Sequence, residues 1–169
     1  MLRRQTMRLR IALLLTAVAV TGCQQHIGDA CSGSADCSVT GERQCDLAQP
    51  GGYCTVFSCD PDTCPEGSCV EWRYIPSRTA ETWCMQGCAN DGICRGGYWC
   101  VLPANIDMQG VWQPEVPSDE RLARVIDLDE VKAAGKICVA LTEEPPSESV
   151  RNGEDQEQLA NEDGLDAGL

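Results

Sequence analysis

Cysteine is the side chain best able to do chemistry in this sequence, and eleven of the thirteen cysteines lie within residues 31–100. Thiols at this density form disulfide bonds or structural zinc sites. Zinc sites favour closely spaced cysteine pairs, often with histidine as a further ligand. The sequence has no Cys-x-x-Cys, and His26 is its only histidine. Disulfides and no metal site are therefore predicted. The evenly spaced Cys59, Cys64 and Cys69 are the best alternative metal ligands, but no histidine accompanies them.

The number of cysteines indicates how many bonds form. Thirteen is odd, and setting Cys23 aside leaves twelve, which can all pair. The predicted disulfide-forming residues are Cys31, Cys37, Cys45, Cys54, Cys59, Cys64, Cys69, Cys84, Cys88, Cys94, Cys100 and Cys138. Twelve cysteines permit on the order of ten thousand pairings, so spacing cannot determine them all. The bonds that local spacing favours are Cys31–Cys45, Cys37–Cys54 and Cys88–Cys100. Cys94 is expected to bond Cys138, which the inserted segment brings back to the second subdomain.

Residues 1–22 have the pattern of a secretory signal that leads into Cys23. Four arginines lie within residues 1–10, and residues 11–20 are apolar apart from Thr16. An apolar run of this length is too short to span a bilayer stably and is typical of a signal peptide. Export would place the chain in an oxidising compartment, where cysteines form disulfides.

The residues Val20-Thr21-Gly22-Cys23 resemble the lipobox of bacterial lipoproteins, in which small residues precede a modified cysteine. The resemblance implies that the leader is removed and that Cys23 receives a covalent diacylglycerol and an N-acyl chain, with no other cofactor. Residues 23–30 would then form a lipidated tether. Gln24, where aspartate would mark retention in the inner membrane, favours the outer membrane. The alternative is an ordinary secreted protein with a cysteine near its cleavage site.

The apolar content predicts a small domain that disulfides must stabilise. Residues 31–100 contain only fourteen bulky apolar side chains, too few to offset the conformational entropy lost on folding. Turn residues separate apolar stretches that are each only a few residues long. The predicted fold is therefore small and disulfide-rich, built from short β-hairpins and loops. The clearest hairpin pairs residues 69–75 with 79–85 and brings Trp72 near Trp83.

A weak internal echo divides the cysteine-rich domain, which is predicted to span residues 31–141. Gly51-Gly52-Tyr53-Cys54 recurs as Gly96-Gly97-Tyr98-Trp99-Cys100, and each copy closes a set of cysteines. The predicted parts are subdomains 28–56 and 57–100, an insertion at 103–136, and a closing strand at 136–141 that carries Cys138. This division assigns four cysteines to the first subdomain and eight to the second.

The cysteine motifs also carry a resemblance to known proteins. They are Gly-Asp-Ala-Cys-Ser, Ala-Asp-Cys, Pro-Gly-Gly-Tyr-Cys-Thr, Cys-Pro-Glu-Gly-Ser-Cys-Val and Cys-Arg-Gly-Gly-Tyr-Trp-Cys. Together with the leader they resemble the cysteine-rich secreted lipoproteins common in myxobacteria and, more loosely, small disulfide modules of the EGF and Dickkopf kind. The resemblance covers residues 1–100 and implies little about function.

After Cys100 the sequence predicts one short α-helix and a long tail. Ser118 can cap a helix at about 119–134, with acidic residues at its start and Lys132 near its end. Valine and isoleucine within residues 124–131 also permit a strand. Residues 142–169 are acidic and poor in apolar side chains, so they are predicted to form a disordered tail. Such a tail solvates the domain or contacts a basic partner.

Side chains for catalysis are scarce, so the protein is not predicted to be an enzyme. With His26 beside the lipid anchor, the folded part has no histidine for a Ser-His-Asp or Cys-His arrangement. Carboxylate pairs such as Asp60/Asp62 and Asp127/Asp129 leave one alternative, a secreted carboxylate-dependent hydrolase acting on envelope or environmental glycans. A concave pocket with two facing carboxylates beside an aromatic floor would favour that alternative.

Aromatic residues are the better candidate for a site. Trp72, Tyr74, Trp83, Tyr98 and Trp99 are many for so small a domain, and indole and phenol rings are favoured in interfaces. These residues form either a thin core or a face that binds an envelope protein or a glycan. The favoured function is a lipid-anchored, extracytoplasmic binding or structural module of the cell envelope, held to the membrane by its lipid.

The charge excludes one class of partner. The whole chain has a formal net charge of −13, and removal of the four leader arginines leaves nine basic against 26 acidic residues, or −17. A surface of this sign repels the phosphates of nucleic acids. No nucleic-acid partner is therefore predicted.

Overall fold

The computed structural model describes residues 25–73, 81–128 and 135–153. Its regular structure is mostly short antiparallel strands, as predicted, held by six disulfides. The strands are β1 (Gln44–Asp46), β2 (Tyr53–Thr55), β3 (Ser68–Trp72), β4 (Glu81–Met85), β5 (Gly87–Cys88), β6 (Trp99–Val101), β7 (Ala123–Val125) and β8 (Lys136–Val139). The helices are α1 (Ser34–Cys37), α2 (Glu148–Asn152) and two 3₁₀ turns, Asp91–Ile93 and Pro103–Asn105.

The disulfides repeat one pattern three times, once in each of unit 1 (28–55), unit 2 (56–85) and unit 3 (86–139). In every unit the first cysteine bonds the third, and the second bonds the fourth. The bonds are Cys31–Cys45 and Cys37–Cys54, Cys59–Cys69 and Cys64–Cys84, and Cys88–Cys100 and Cys94–Cys138. The four predicted bonds, Cys31–Cys45, Cys37–Cys54, Cys88–Cys100 and Cys94–Cys138, are all present. The Cα–Cα distances also repeat, at 5.9, 5.9 and 5.8 Å for the first bond and 5.4, 5.6 and 5.4 Å for the second.

The backbone of the three units repeats as well. The third and fourth cysteines lie opposite each other on antiparallel strands: Cys45 with Cys54, Cys69 with Cys84, and Cys100 with Cys138. The amide of the fourth cysteine donates to a carbonyl shortly before the first: Cys54 to Asp29 (2.9 Å), Cys84 to Val56 (3.0 Å), and Cys138 to Gln86 (2.9 Å). Each unit therefore repeats one antiparallel strand pair and one backbone hydrogen bond. The sheets differ: β1 and β2 form a two-stranded sheet in unit 1, β3 lies between β4 and β7 in unit 2, and β8 with Cys138 lies between β5 and β6 in unit 3.

This repeat divides the chain differently from the Gly-Gly-Tyr echo. The eight cysteines assigned to the predicted second subdomain form two units of four. The echo joins positions that are not equivalent, because Cys54 is the fourth cysteine of unit 1 whereas Cys100 is the third of unit 3. The two tyrosines of the echo instead contact each other, with the Tyr53 and Tyr98 rings stacked at 5.6 Å.

The segment between β6 and β8, residues 102–135, has no cysteine and adds a strand to a neighbouring unit. Its β7 pairs with β3 of unit 2, so that Trp72 lies opposite Ala123. The helix predicted at 119–134 is not formed over residues 119–128, where the structure has β7 and a turn. The strand alternative prevails because pairing with β3 buries Ala123, which is 1% exposed, and tertiary contacts override weak local propensity. Lys132 lies outside the described residues.

Within the described residues, one apolar core connects the three units, the insertion and the segment before unit 1. Ile27 enters it from the N-terminal side, Tyr53 from unit 1, Val70 from unit 2, Ile106 from the insertion and Ile137 from unit 3, and each is at most 1% exposed. The units are therefore packed against one another, so each unit supplies only part of the apolar contacts that hold it.

The predicted tether is attached to this core over its last residues. Ile27 is buried, and its amide donates to Glu66 Oε2 at 2.7 Å. Glu66 Oε1 also accepts from Arg43 at 2.9 Å and lies 3.0 Å from His26 Nδ1. Burial alone would raise the pKa of Glu66, but the Ile27 amide, His26 and Arg43 hold it below its usual value. Residues 26–30 thus belong to the folded domain.

The first part of the predicted disordered tail, residues 142–153, is ordered. Residues 142–153 are described and end in α2, whose Arg151 donates two hydrogen bonds of 2.6 Å to Asp91. The Arg151 side chain is only 4% exposed, so this ion pair attaches α2 to unit 3. Burial alone would raise the pKa of Asp91, but Arg151 and the Cys100 amide keep it below its usual value. Residues 154–169 lie outside the described residues.

Candidate functional site

Trp72 and Trp83, predicted to lie near each other, form the floor of a surface cleft. The β3–β4 register places Val70 opposite Trp83 and Trp72 opposite Glu81. Because side chains alternate along a strand, Trp72, Glu81 and Trp83 project from the same face of the hairpin. The loop after β1 covers one side of this face. The resulting cleft has a volume of about 110 Å³ and lies between unit 1 and unit 2.

Three aromatic rings and two carboxylates line this cleft. The aromatic residues are Tyr53, Trp72 and Trp83, and the acidic residues are Asp46 and Glu81. Tyr53 and Trp72 are buried, at 1% and 6% exposure, whereas Trp83 is partly exposed. The cleft thus has an aromatic base and an acidic rim, and we call it the Trp72–Trp83 cleft.

Exposed apolar side chains continue the surface beyond the cleft. Phe57 packs against Trp83 with ring centroids 4.5 Å apart, yet it remains 42% exposed. Leu47 follows Asp46 on the loop and is 67% exposed. Exposed apolar residues beside an aromatic cleft are typical of an interaction surface.

The two carboxylates have local hydrogen bonds but no ion pair within the described residues. Asp46 Oδ1 accepts from the Ala48 amide at 2.9 Å, which orders the loop. Glu81 Oε2 accepts from Trp83 Nε1 at 3.4 Å, which orients the indole. Each carboxylate therefore retains acceptor capacity that a ligand can use.

The other predicted aromatic residues do not join this cleft. Tyr98 is 5% exposed, and Arg95 lies over its ring at 4.2 Å while donating to the Pro50 carbonyl at 2.9 Å. Burial raises the pKa of the Tyr98 hydroxyl. Trp99 packs against the core from β6. Tyr74 lies outside the described residues, so the predicted face is described at four of its five positions.

Sequence reasoning missed Tyr53, Asp46 and Glu81 as members of the site. Glu81 could have been found from the hairpin alone, because pairing Val70 with Trp83 places it across from Trp72. Asp46 and Tyr53 carried no such signal, since they reach the cleft only through the packing of unit 1 on unit 2.

The cysteine clusters are the residues nearest to a metal-site geometry among those described. The three sets are Cys31, Cys37 and Cys45; Cys59, Cys64 and Cys69; and Cys88, Cys94 and Cys100. Each set combines one complete disulfide with a sulfur of the second bond of the same unit. A sulfur in a disulfide supplies no thiolate ligand. The clusters are therefore a product of the stacked disulfides in each unit.

The carboxylate pairs found in the sequence do not form the Trp72–Trp83 cleft at the positions that are described. Asp60 and Asp62 are exposed, and Asp62 accepts from the Leu128 amide at 3.3 Å. Asp127 is described, whereas Asp129 lies outside the described residues. Asp60, Asp62 and Asp127 do not line the cleft.

Comparisons with protein families, curated proteins and solved structures returned no match to this chain. Among the described residues, no helix combines the length and the apolar character needed to cross a membrane. A fold held by six disulfides is characteristic of an oxidising, extracytoplasmic environment, and a small disulfide-rich module of this kind suits a structural or binding role there.

Proposed function

We propose that this protein is a lipid-anchored binding module of the bacterial cell envelope, without catalytic activity. The observation that carries the binding role is the Trp72–Trp83 cleft, where two indoles and two carboxylates meet at a junction between units. Its continuation into exposed Leu47 and Phe57 supports recognition of a partner rather than packing alone.

Lipid anchoring at Cys23 is supported by the odd number of cysteines, which leaves Cys23 without a disulfide partner. The six disulfides use every cysteine after Cys23, so none of them remains to pair with it. A thioether to diacylglycerol together with an N-acyl chain anchors stably, whereas one acyl chain binds only marginally. Gln24 supports the outer membrane as the destination.

The anchor would hold the domain close to the bilayer. Ile27 is already buried in the core, only four residues after Cys23. Four residues extend over at most roughly 14 Å. The surface around His26 and Glu66 would therefore face the membrane.

A cysteine substitution tests the anchoring. Cys23→Ser should leave uncleaved, unlipidated precursor that leaves the outer-membrane fraction, because only the thiol can form the thioether. Fractionation and mass spectrometry of the amino terminus give the readout. Gln25→Ser, two residues away, is the control and should mature normally. A Cys23→Ser protein that matures and fractionates like the parent would contradict the proposal.

One observation favours a second function, a carboxylate-dependent glycan hydrolase. Asp46 and Glu81 lie in one cleft beside aromatic rings, as such an enzyme requires. Against it, a cleft of about 110 Å³ is well below the roughly 300–1,000 Å³ usual for ligand pockets. Release of reducing sugar from envelope glycans, abolished in Glu81→Gln, would establish the hydrolase and contradict the non-catalytic proposal.

A further inference from the structure

The Trp72–Trp83 cleft combines negative charge with aromatic surface in a small volume. From this combination we infer that the cleft binds one cationic side chain, of lysine or arginine, presented by a basic polypeptide segment. The inference rests on the proposed binding function of the same cleft and adds the chemical class of the partner.

The carboxylates supply the charge complementarity. Asp46 and Glu81 both line the cleft, and neither is paired with a cation among the described residues. A cationic group entering the cleft would replace bulk counterions at both carboxylates. The formal charge of −13 over the whole chain also steers basic partners toward the surface and repels acidic ones.

The aromatic rings favour a cation over a neutral polar group. The faces of indole and phenol rings attract ammonium and guanidinium groups, and tryptophan does so most strongly. Trp72, Trp83 and Tyr53 line one cleft with the two carboxylates. The protein already contains such a contact in its interior, where Arg95 lies 4.2 Å from the centroid of the Tyr98 ring.

The size of the cleft limits what can enter it. A volume of about 110 Å³ admits the end of one side chain, whereas drug-sized ligands occupy pockets of roughly 300–1,000 Å³. The rest of the partner must therefore lie outside, over the neighbouring surface. Leu47 and Phe57, at 67% and 42% exposure, provide apolar contacts there for the flanking residues of a polypeptide. A free amine has no flanking residues and therefore cannot make these apolar contacts.

Binding to defined peptides tests the inference. The probe is a fluorescein-labelled peptide of repeated Lys-Leu-Lys-Ser, mixed at low salt with the full-length protein in detergent. Fluorescence anisotropy measures Kd, and quenching of tryptophan emission reports the cleft. We expect binding to the lysine peptide and none to the same peptide with acetylated lysines. A peptide with glutamate in place of lysine should also fail to bind.

Two variants with equal changes in charge separate the cleft from the general acidity of the chain. Asp46→Asn with Glu81→Gln should weaken binding about tenfold, since both charge contacts in the cleft are lost. Glu143→Gln with Glu144→Gln removes two exposed carboxylates outside the cleft and should leave Kd within about twofold. Trp83→Leu tests the aromatic contribution and should also weaken binding.

Several outcomes would overturn the inference. Equal loss of affinity in both double variants would mean that binding follows net charge alone. Equal binding of acetylated and unmodified peptides would show that the cleft does not recognise a cation. Binding of n-butylamine as tightly as the peptide would show that the partner need not be a polypeptide. If the lysine peptide fails but a glycan or neutral protein binds through Trp83, the cationic partner is wrong while the proposed binding function stands.

Discussion

The three cysteine units and the insertion of residues 102–135 are held together in different ways. Each unit is closed by two interleaved disulfides. The insertion has no cysteine and is ordered by β7 on β3, by short bridges such as Ile106 with Trp112, and by the buried Ile106. The disulfides restrict the unfolded chain in every unit. The insertion is crosslinked only across its ends, by Cys94–Cys138, and otherwise depends on contacts present only in the folded state. Stability should therefore be lost either by reduction of the disulfides or by loss of the folded-state contacts of the insertion.

Reduction is expected to have the largest effect. The disulfides close loops with sequence separations of 10 to 44 residues, and each contributes about 2–4 kcal/mol in a model-dependent account. Six such contributions, about 12–24 kcal/mol together, are as large as or larger than the usual stability of about 5–15 kcal/mol for a small domain. Treatment with dithiothreitol should unfold units and insertion together, measured as loss of near-ultraviolet circular dichroism.

Thiol titration provides the control for this prediction. The denatured, unreduced mature protein should show no free thiol, because all twelve cysteines after Cys23 are paired and Cys23 would carry lipid. Two or more free thiols, or retention of the tertiary signal after complete reduction, would contradict the dominant role of the disulfides.

A cavity in the insertion is expected to have the next largest effect and to be local. Ile106 is 0% exposed, and its carbonyl accepts from the Leu122 amide at 2.9 Å. Ile106→Ala should destabilise by about 2–5 kcal/mol, because it removes buried methyl groups and leaves a cavity. Hydrogen exchange should then accelerate through residues 103–125 while the Cys54 and Cys84 amides stay protected.

The matched control is Val39→Ala, at a side chain 97% exposed, which should change the free energy of unfolding by less than about 0.5 kcal/mol. Uniform acceleration of exchange in Ile106→Ala, including the Cys54 amide, would mean that the insertion and the units unfold as one. The proposed difference between the two regions would then be wrong.

The ion pair of α2 is expected to give a smaller loss. Arg151 is almost fully buried, so Asp91→Asn would leave its charge without a partner. A hydrogen bond to a charged group contributes about 1.5–3 kcal/mol, and we expect a loss within that range, measured by urea unfolding. Exchange should accelerate in residues 147–153. Asp119→Asn, at an exposed position, is the control, and an equal effect there would contradict a specific role for Asp91.

The sequence predicted the parts of this fold that depend on local pattern. Alternation and turn residues predicted the β3–β4 hairpin and the closing strand at β8. Local spacing favoured three of the six disulfides, and the return of the inserted segment predicted a fourth, Cys94–Cys138. Equivalent cysteines were harder to recognise, because their spacing is regular only between the first and second cysteine of each unit. The gap between the third and fourth grows from Cys45–Cys54 to Cys100–Cys138.

The rest depended on contacts between distant parts of the chain. β7 is a strand because β3 lies beside it, and the local residues 119–128 fit either structure. Likewise, Asp46 reaches the cleft only because unit 1 packs on unit 2. The tether was inferred from its place directly after Cys23, but Ile27 belongs to a core cluster that includes residues of all three units. Single-sequence patterns contain no information on such long-range packing.

Acid pH should produce the smallest effect on stability. It acts at the carboxylates of Glu66 and Asp91, which hold the fold by noncovalent contacts and not by disulfides. The pKa values of Glu66 and Asp91 are lowered in the folded protein, despite burial, by the hydrogen bonds and cations described above. In the unfolded chain these groups titrate near their ordinary values of about 4. The unfolded state therefore binds more protons in this range. The stabilisation is present above about pH 5 and is lost as the pH falls through the lower folded-state values.

The net charge of −13 adds a pH dependence of its own, so the measurement is the difference between variants and parent. Glu66→Gln with Asp91→Asn should lower the urea midpoint at pH 7 and flatten its decline between about pH 5 and pH 3. Asp119→Asn with Glu120→Gln changes the charge equally at exposed positions and should retain the slope of the parent. The disulfides do not titrate and so do not contribute to this slope. An unchanged slope in the Glu66→Gln, Asp91→Asn variant would therefore mean that the two ion pairs add no stability to that supplied by the disulfides.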